Sequence, residues 1–138
     1  MSLSIALTDD IATCLALRRI VFMEEQGVSE ADELDGRDAD ALHVLAVDGG
    51  HPVGTARILI DGDVAKIGRV CVLAGHRGTG LGAALVSAAL QAAKGKARIA
   101  KLGAQTHALG FYEKLGFTAE GPIYDDAGIP HRDMVCPL

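Results

Sequence analysis

The sequence predicts a mixed α/β domain, with a largely antiparallel sheet of six or seven strands and helices on both faces. Residues 41–73 hold three apolar runs separated by short glycine turns, which predicts an antiparallel meander. Residues 70–94 read as a strand, a glycine turn and an amphipathic helix. Residues 98–103 then return as a strand, which should lie parallel to the Val70 strand through a right-handed crossover.

The N-terminal part predicts one strand and one helix. Residues 3–7 alternate in polarity and predict a short first strand. Thr8, Asp9 and Asp10 offer N-caps for a helix that should run to about Gln26 and end before Gly27. Residues 29–40 carry six acidic residues, a pattern typical of a solvated loop or a short exposed helix. The alternative is an acidic rim that attracts a cationic ligand.

The remaining elements follow from turn residues and apolar spacing. The expected strands are 41–47, 53–60, 64–73, 98–103, 117–123 and 132–136, and the expected helices are 80–94 and 107–114. Asp48-Gly49-Gly50 predicts a hairpin turn. Lys94-Gly95 ends the long helix, because cations and glycine favour a helix C-terminus.

Composition limits the class of protein. A chain of 138 residues is long enough for one domain, residues 1–138, with its own core. The core should be aliphatic, because 49% of residues are hydrophobic and only 4% aromatic. A net charge of -5 argues against nucleic acid or an anionic membrane as a partner. The sequence contains neither a membrane-length apolar run nor an export signal, so we expect a cytoplasmic protein.

Cysteine and histidine usage favours packing over metal binding. Cys14, Cys71 and Cys136 are odd in number and widely spaced, which fits reduced thiols in a core better than disulfides or zinc ligands. The packing role is least secure for Cys71, because this residue lies beside the glycine turn. No histidine pair has ligand spacing with a third ligand nearby, so we predict no metal site.

The glycine turn predicts an anion site. It lies between a strand and a helix, so the first N–H groups of the helix lack partners and point at whatever lies there. Gly78, Gly80 and Gly82 let the backbone approach a ligand closely. Arg77 adds a charge that suits phosphate oxygens. The alternative is that the glycines only form a tight turn.

Two common phosphate motifs do not match. A nucleotide P-loop needs Gly-Lys-Ser/Thr, whereas Gly82 is followed by Ala83-Ala84. The run from Gly78 to Ala83 fits the G-x-G-x-x-A dinucleotide pattern. That fold also needs an acid about 20 residues later to bind ribose, and residues 97–101 contain none.

Two segments carry a family resemblance. Residues 77–82, RGTGLG, resemble the pyrophosphate loop R/Q-x-x-G-x-G/A of the GNAT family of N-acetyltransferases. Residues 108–117, ALGFYEKLGF, resemble that family's A-x-x-F-Y-x-x-x-G-F segment. Segments 18–38, 102–107 and 124–134 are similar to a bacterial subgroup typified by ElaA and YjcF, so the resemblance covers nearly the whole chain.

The resemblance implies transfer of an acetyl group from acetyl-coenzyme A to a primary amine, by direct attack in a ternary complex. It implies that the parallel strands splay apart and that the pantetheine arm pairs with backbone of the first. The implied coenzyme-binding residues are Val70, Cys71, Val72, Arg77, Gly78, Thr79, Gly80, Leu81, Gly82, Ala83, Gln105 and Tyr112. Gln105 departs from the family pattern, in which many members carry asparagine.

The resemblance also implies catalytic roles. Tyr112 occupies the position of the general acid that protonates the departing thiolate, and the Val72 N–H is the candidate donor to the oxyanion. An amine with a pKa near 10.4 must also lose a proton before it attacks. The sequence leaves that base open among Glu25, Glu33, Asp35, His43, His107 and His131, and we carry Glu33 and His131 forward as the candidates.

Two functions remain open. The first is the acetyltransferase, and the second is a sensor or partner-binding module that binds coenzyme A without turnover. The intact Tyr112 favours the enzyme. The acceptor pocket should be built by residues 29–40 and 124–131 and its amine is not identified by the sequence. The oligomeric state is open, with a homodimer among the options.

Overall fold

A computed structural model describes residues 2–138 and shows one seven-stranded sheet with helices on both faces, as predicted. The strands are β1 (Leu3–Thr8), β2 (Leu42–Asp48), β3 (His51–Asp61), β4 (Val64–Val72), β5 (Ile99–Gln105), β6 (Thr118–Asp126) and β7 (Ile129–Pro137). The α-helices are α1 (Ile11–Arg18), α2 (Glu30–Glu33), α3 (Leu81–Ala93) and α4 (Leu109–Glu113). The single domain over residues 1–138 remains a prediction, since Met1 lies outside the described residues.

The sheet has the order β1-β2-β3-β4-β5-β7-β6. Every neighbouring pair is antiparallel except β4 and β5, which are parallel as the sequence predicted. The meander β2-β3-β4 leads into the glycine loop, and α3 connects β4 to β5. This connection places the loop at the carboxyl end of β4, beyond the short stretch over which the two parallel strands are paired.

Two apolar clusters hold the helices against opposite faces. The larger contains Leu85, Val86 and Ala89 of α3 packed on Ala56 and Ile58 of β3, all almost fully buried. The smaller joins Leu17, Val21 and Cys71 on the α1 side. The aliphatic core follows the predicted composition, and Cys14 and Cys71 are buried in it. None of the helices in residues 2–138 is both long and apolar enough to cross a membrane.

The structure departs from the predicted boundaries in two places. The predicted helix to Gln26 is α-helical only to Arg18, and Arg19–Glu25 continues as a π-helix. A π turn widens the helix and is frequent at functional sites. The β6–β7 hairpin is longer than predicted, because only Ala127 and Gly128 form its turn. Both residues have positive φ, as a two-residue type I′ turn requires.

Candidate functional site

A cleft opens where β4 and β5 stop pairing. The two strands are paired only from Val64–Ile99 to Lys66–Lys101. Beyond that point β4 pairs only with β3, and β5 pairs only with β7. A bulge contributes, because Arg69 and Val70 together lie opposite the single residue Ala56, with Arg69 at a φ of 50°. The resulting cavity has a volume of about 630 Å³.

The glycine loop closes one end of this cleft. Arg77 and Gly82 line the cavity, and α3 begins at Leu81. Gly78 and Gly80 have φ values of 77° and 85°, which L-residues rarely adopt. A Cβ at either glycine would meet no other atom within 4 Å, so the outer face of the loop is open to a ligand. The N-terminus of a thirteen-residue helix and an arginine at an open loop fit a diphosphate.

The edge of β4 presents backbone groups to the cleft. The Leu73 N–H donates to Val53 of β3 across 2.9 Å. Neighbouring residues of a strand point their backbone groups to opposite sides, so the N–H and C=O of Val72 face the cleft. The Val72 carbonyl accepts a hydrogen bond from Arg77 Nε at 2.9 Å. Val70 and Cys71 line the same wall, and burial raises the pKa of Cys71 to about 12, which keeps the thiol protonated.

Tyr112 faces the cleft from α4. Its ring makes edge-to-face contacts with Phe111 and Phe117, with centroid distances of 5.0 and 5.9 Å. These contacts place the phenol among apolar groups, and burial raises its pKa to about 12. The phenol therefore remains a proton donor throughout the physiological pH range.

Gln105 lies opposite the glycine loop, at the end of β5. Its Nε2 donates to Gln26 Oε1 at 2.9 Å, and its Oε1 accepts from His107 Nε2 at 2.7 Å. Gln26 follows the π-helix directly, so this contact fastens the end of that helix across the cleft. All three side chains line the cavity.

Glu33 lines the cleft but is almost fully buried. Its carboxylate accepts from Arg18 Nε at 2.5 Å and forms a second ion pair with Arg69 Nε at 3.5 Å. The exposed fraction of its side chain is 3%. Glu33 is therefore held as part of the wall, since two guanidinium groups neutralise its charge.

The acidic segment 29–40 was expected to be a solvated loop or a short exposed helix, and a short helix does form at Glu30–Glu33. The expected exposure was wrong for Glu33, which is buried, and for Asp38, which is half-buried, whereas Asp35 is exposed but paired. Asp35 receives two hydrogen bonds of 2.8 Å from Arg57, and Asp38 receives one of 2.6 Å from Arg18. Hydrogen bonds from Arg57 hold the pKa of Asp35 well below its usual range. Burial alone would raise the pKa of Asp38, but hydrogen bonds and charge from Arg18 and Arg57 lower it.

His131 lies on the opposite wall, at the start of β7. Its Nδ1 donates to the Ile129 carbonyl at 2.7 Å, which leaves Nε2 of the neutral ring as a proton acceptor. The ring stacks on Tyr124, whose hydroxyl donates to Asp133 at 2.7 Å. Tyr124 also lies over Gly103, where an added Cβ would overlap the phenol oxygen.

The cavity brings together most of the predicted site residues. They are Val70, Cys71, Val72, Arg77, Gly82, Gln105, Tyr112, Glu33 and His131. Gly78, Thr79 and Gly80 lie on the exposed loop at its mouth, the Leu81 side chain is buried in the core, and Ala83 lies in the first turn of α3. Sequence reasoning missed Arg18, Arg57 and Arg69, because a single arginine carries no local signal of its partner. Within residues 2–138, no three histidine, cysteine or acidic side chains are grouped to hold a metal.

The seven-stranded fold, with its splayed parallel pair and the glycine loop at the mouth of the cleft, is that of acyl-CoA N-acyltransferases. The chain belongs to the GNAT family of acetyltransferases: the family model described as "Acetyltransferase (GNAT) domain" matches residues 21–138. The chain is an acyltransferase of this family, and the resemblance on which the sequence analysis relied is confirmed.

Individual relatives agree with this assignment. YyaT of Bacillus subtilis is 43% identical over 88% of this chain and 85% of its own. The N-acetyltransferase YjcF of the same organism is 37% identical over 86% of each chain. An acyl-CoA N-acyltransferase from Pseudomonas aeruginosa has a TM-score of 0.87 at 33% identity, covering 98% of this chain and 99% of that one.

A more distant structure shares the fold alone. A GNAT acetyltransferase from Elizabethkingia anophelis, solved with acetyl-CoA bound, has a TM-score of 0.74 at 18% identity. The match covers 99% of this chain and 98% of that chain.

Proposed function

We propose that this protein transfers an acetyl group from acetyl-coenzyme A to a primary amine, by direct attack within a ternary complex. The observation that carries the proposal is the position of Tyr112: its phenol faces the same cleft as the glycine loop and the free edge of β4. A module that only binds coenzyme A has no need of a proton donor there. Acetyl-coenzyme A, when bound, supplies the acetyl group as a thioester.

The coenzyme is held by backbone and by one charge. The N–H groups at the start of α3 and Arg77 bind the diphosphate, with Gly78, Thr79, Gly80, Leu81, Gly82 and Ala83 forming the loop. The free edge of β4 at Val70, Cys71 and Val72 pairs with the amide groups of the pantetheine arm. Gln105 contributes its amide from the facing strand.

Three groups act on the reacting atoms. The Val72 N–H donates to the thioester oxygen, where negative charge develops during attack. Tyr112 donates its proton to the departing sulfur, whose thiol pKa near 8.5 makes the thiolate a basic leaving group. His131 Nε2 accepts one proton of the ammonium group before attack, directly or through water, and the second nitrogen proton, lost after attack, restores the Tyr112 phenol. Glu33 was the other candidate base, and its two arginine partners favour a role in shaping the acceptor wall.

The test is an acceptor screen. Purified protein is incubated with acetyl-coenzyme A and a panel of small amines, diamines and peptides; free thiol and acetylated product are then measured, the latter by mass spectrometry. We expect thiol release that depends on both protein and one class of amine. Binding of coenzyme A in calorimetry without release for any amine would instead support the sensor function.

A further inference from the structure

The arginine of the glycine loop is already engaged in the empty protein. Arg77 Nη2 donates to Glu25 Oε1 at 2.6 Å, while its Nε donates to the Val72 carbonyl at 2.9 Å. Arg77 therefore lies across the strand edge that the pantetheine arm is proposed to use. Both side chains of the ion pair are partly exposed, at 46% and 34%, so water screens the pair and Arg77 is free to exchange partners.

Glu25 lies close to the proposed reaction centre. The Arg77 guanidinium donates to both the Glu25 carboxylate and the Val72 carbonyl. It therefore links Glu25 to the residue whose N–H is proposed to bind the thioester oxygen. Glu25 ends the π-helix, and the next residue, Gln26, is fastened to Gln105 across the cleft. This anchor keeps Glu25 at the cleft whether or not Arg77 contacts it.

Glu25 also differs from the other acids of this wall. The carboxylates of Glu33, Asp35 and Asp38 are each bound by buried arginines, and those pairs have no reason to change when a ligand arrives. Among the described residues, the only cation paired with Glu25 is Arg77, the residue proposed to turn toward the diphosphate. Once Arg77 turns, Glu25 is an unneutralised carboxylate beside the reaction centre.

We propose that Glu25 binds two cations in turn, Arg77 in the empty enzyme and the ammonium group of the acceptor once coenzyme is bound. This inference rests on the proposed function and deepens it. It defines the acceptor as an amine that enters with a positive charge, and it makes the acceptor site complete only after the coenzyme site is filled. The acidic residue that selects the amine is then Glu25 rather than the carboxylates of residues 29–40.

The test compares Glu25→Gln with Glu24→Gln, which makes the same charge change one residue away on the same π-helix. Calorimetry with free coenzyme A gives the affinity without turnover. We expect Glu25→Gln to bind coenzyme A about two- to fivefold more tightly, because the exposed Glu25–Arg77 ion pair no longer competes with the diphosphate for Arg77. For the best acceptor of the screen, we expect its KM to rise about tenfold or more, with kcat within about threefold, because a charged hydrogen bond is lost.

The outcomes separate this inference from the proposed function. Tighter coenzyme binding together with a raised KM, both absent from Glu24→Gln, supports the exchange. Unchanged coenzyme affinity in Glu25→Gln, an unchanged acceptor KM, or equal effects in Glu24→Gln each overturn it while wild-type turnover stands. If wild-type protein acetylates no amine, the proposed function fails first, and the acceptor role of Glu25 fails with it.

Discussion

Arg18 Nε and Glu33 Oε1 are 2.5 Å apart, and the exposed fractions of their side chains are 1% and 3%. The same guanidinium binds Asp38 at 2.6 Å, so one buried arginine holds both ends of segment 33–38 against the sheet. Glu33 and Asp32 line the cleft through this attachment. The two ion pairs of Arg18 therefore stabilise the wall of the proposed acceptor site.

Removing that arginine should destabilise the fold. Arg18→Met removes the shorter ion pair of two carboxylates and leaves Glu33 only its 3.5 Å pair with Arg69 and Asp38 only its 3.3 Å pair with Arg57. Loss of one partner of a buried pair costs about 3–5 kcal/mol. Urea unfolding measures the change. Arg19→Met is the matched control, since Arg19 is 54% exposed and 3.9 Å from Glu30, and it should change stability by less than about 0.5 kcal/mol. Equal losses in the two variants would contradict the structural role of Arg18.

Acid should weaken the same segment. The pKa values of Asp35 and Asp38 are lowered in the folded state. A lowered folded pKa means that the ionised form stabilises the fold above the unfolded pKa of about 3.9 and that this contribution is lost as pH falls below it. We expect the unfolding free energy, measured in urea at several pH values from 7 to 3, to fall mainly below pH 4.

Asp35→Asn isolates one part of that dependence. The amide has no proton to gain, so the variant should be less stable than wild type at pH 7. The difference should begin to narrow below the unfolded pKa of about 3.9 and should not close by pH 3, because the folded pKa of Asp35 lies well below its usual range. The quantity to follow is the difference between the two unfolding free energies. A difference that is constant with pH would show that the Asp35–Arg57 pair does not titrate with folding.

Local patterns predicted the elements that depend on neighbouring residues. The strand that leads into the glycine turn, the turn itself and the start of α3 were all predicted from a short run of consecutive residues. Tyr112 also reached the cleft as expected, because the family segment around it is contiguous. In each case the signal lies within the segment that carries the feature.

Other features depended on partners far away in the chain. Arg57 and Asp35 are 22 positions apart, and nothing around either residue indicates that they meet. We therefore predicted that the acidic run is exposed, as in a typical loop. In the structure, arginines of α1, β3 and β4 form ion pairs with its carboxylates. The Arg69 bulge was missed for the same reason, since it shows only in the register of two paired strands.

The glycine loop gives a direct test of coenzyme binding. Gly80→Asp places a carboxylate at the open face where the diphosphate is proposed to lie, and calorimetry should show no binding of coenzyme A. Gly80→Asn is the matched control, because it has the same shape and asparagine tolerates positive φ comparably. It should retain measurable affinity. Equal affinities in the two variants would mean that negative charge at this position does not matter.

Tyr112→Phe tests the proposed acid. The ring contacts with Phe111 and Phe117 remain, so the fold and the affinity for coenzyme A should be unchanged, while kcat should fall about 100-fold. Burial raises the pKa of Tyr112 to about 12, so the wild-type phenol stays protonated and kcat should show no loss of this acid up to pH 10. Steady-state rates from pH 6 to 10 measure both effects. A wild-type kcat in Tyr112→Phe would contradict the acid role. If the kcat of the wild-type enzyme falls with rising pH below pH 10, and this fall is absent from Tyr112→Phe, the phenol ionises at a lower pH than its burial implies.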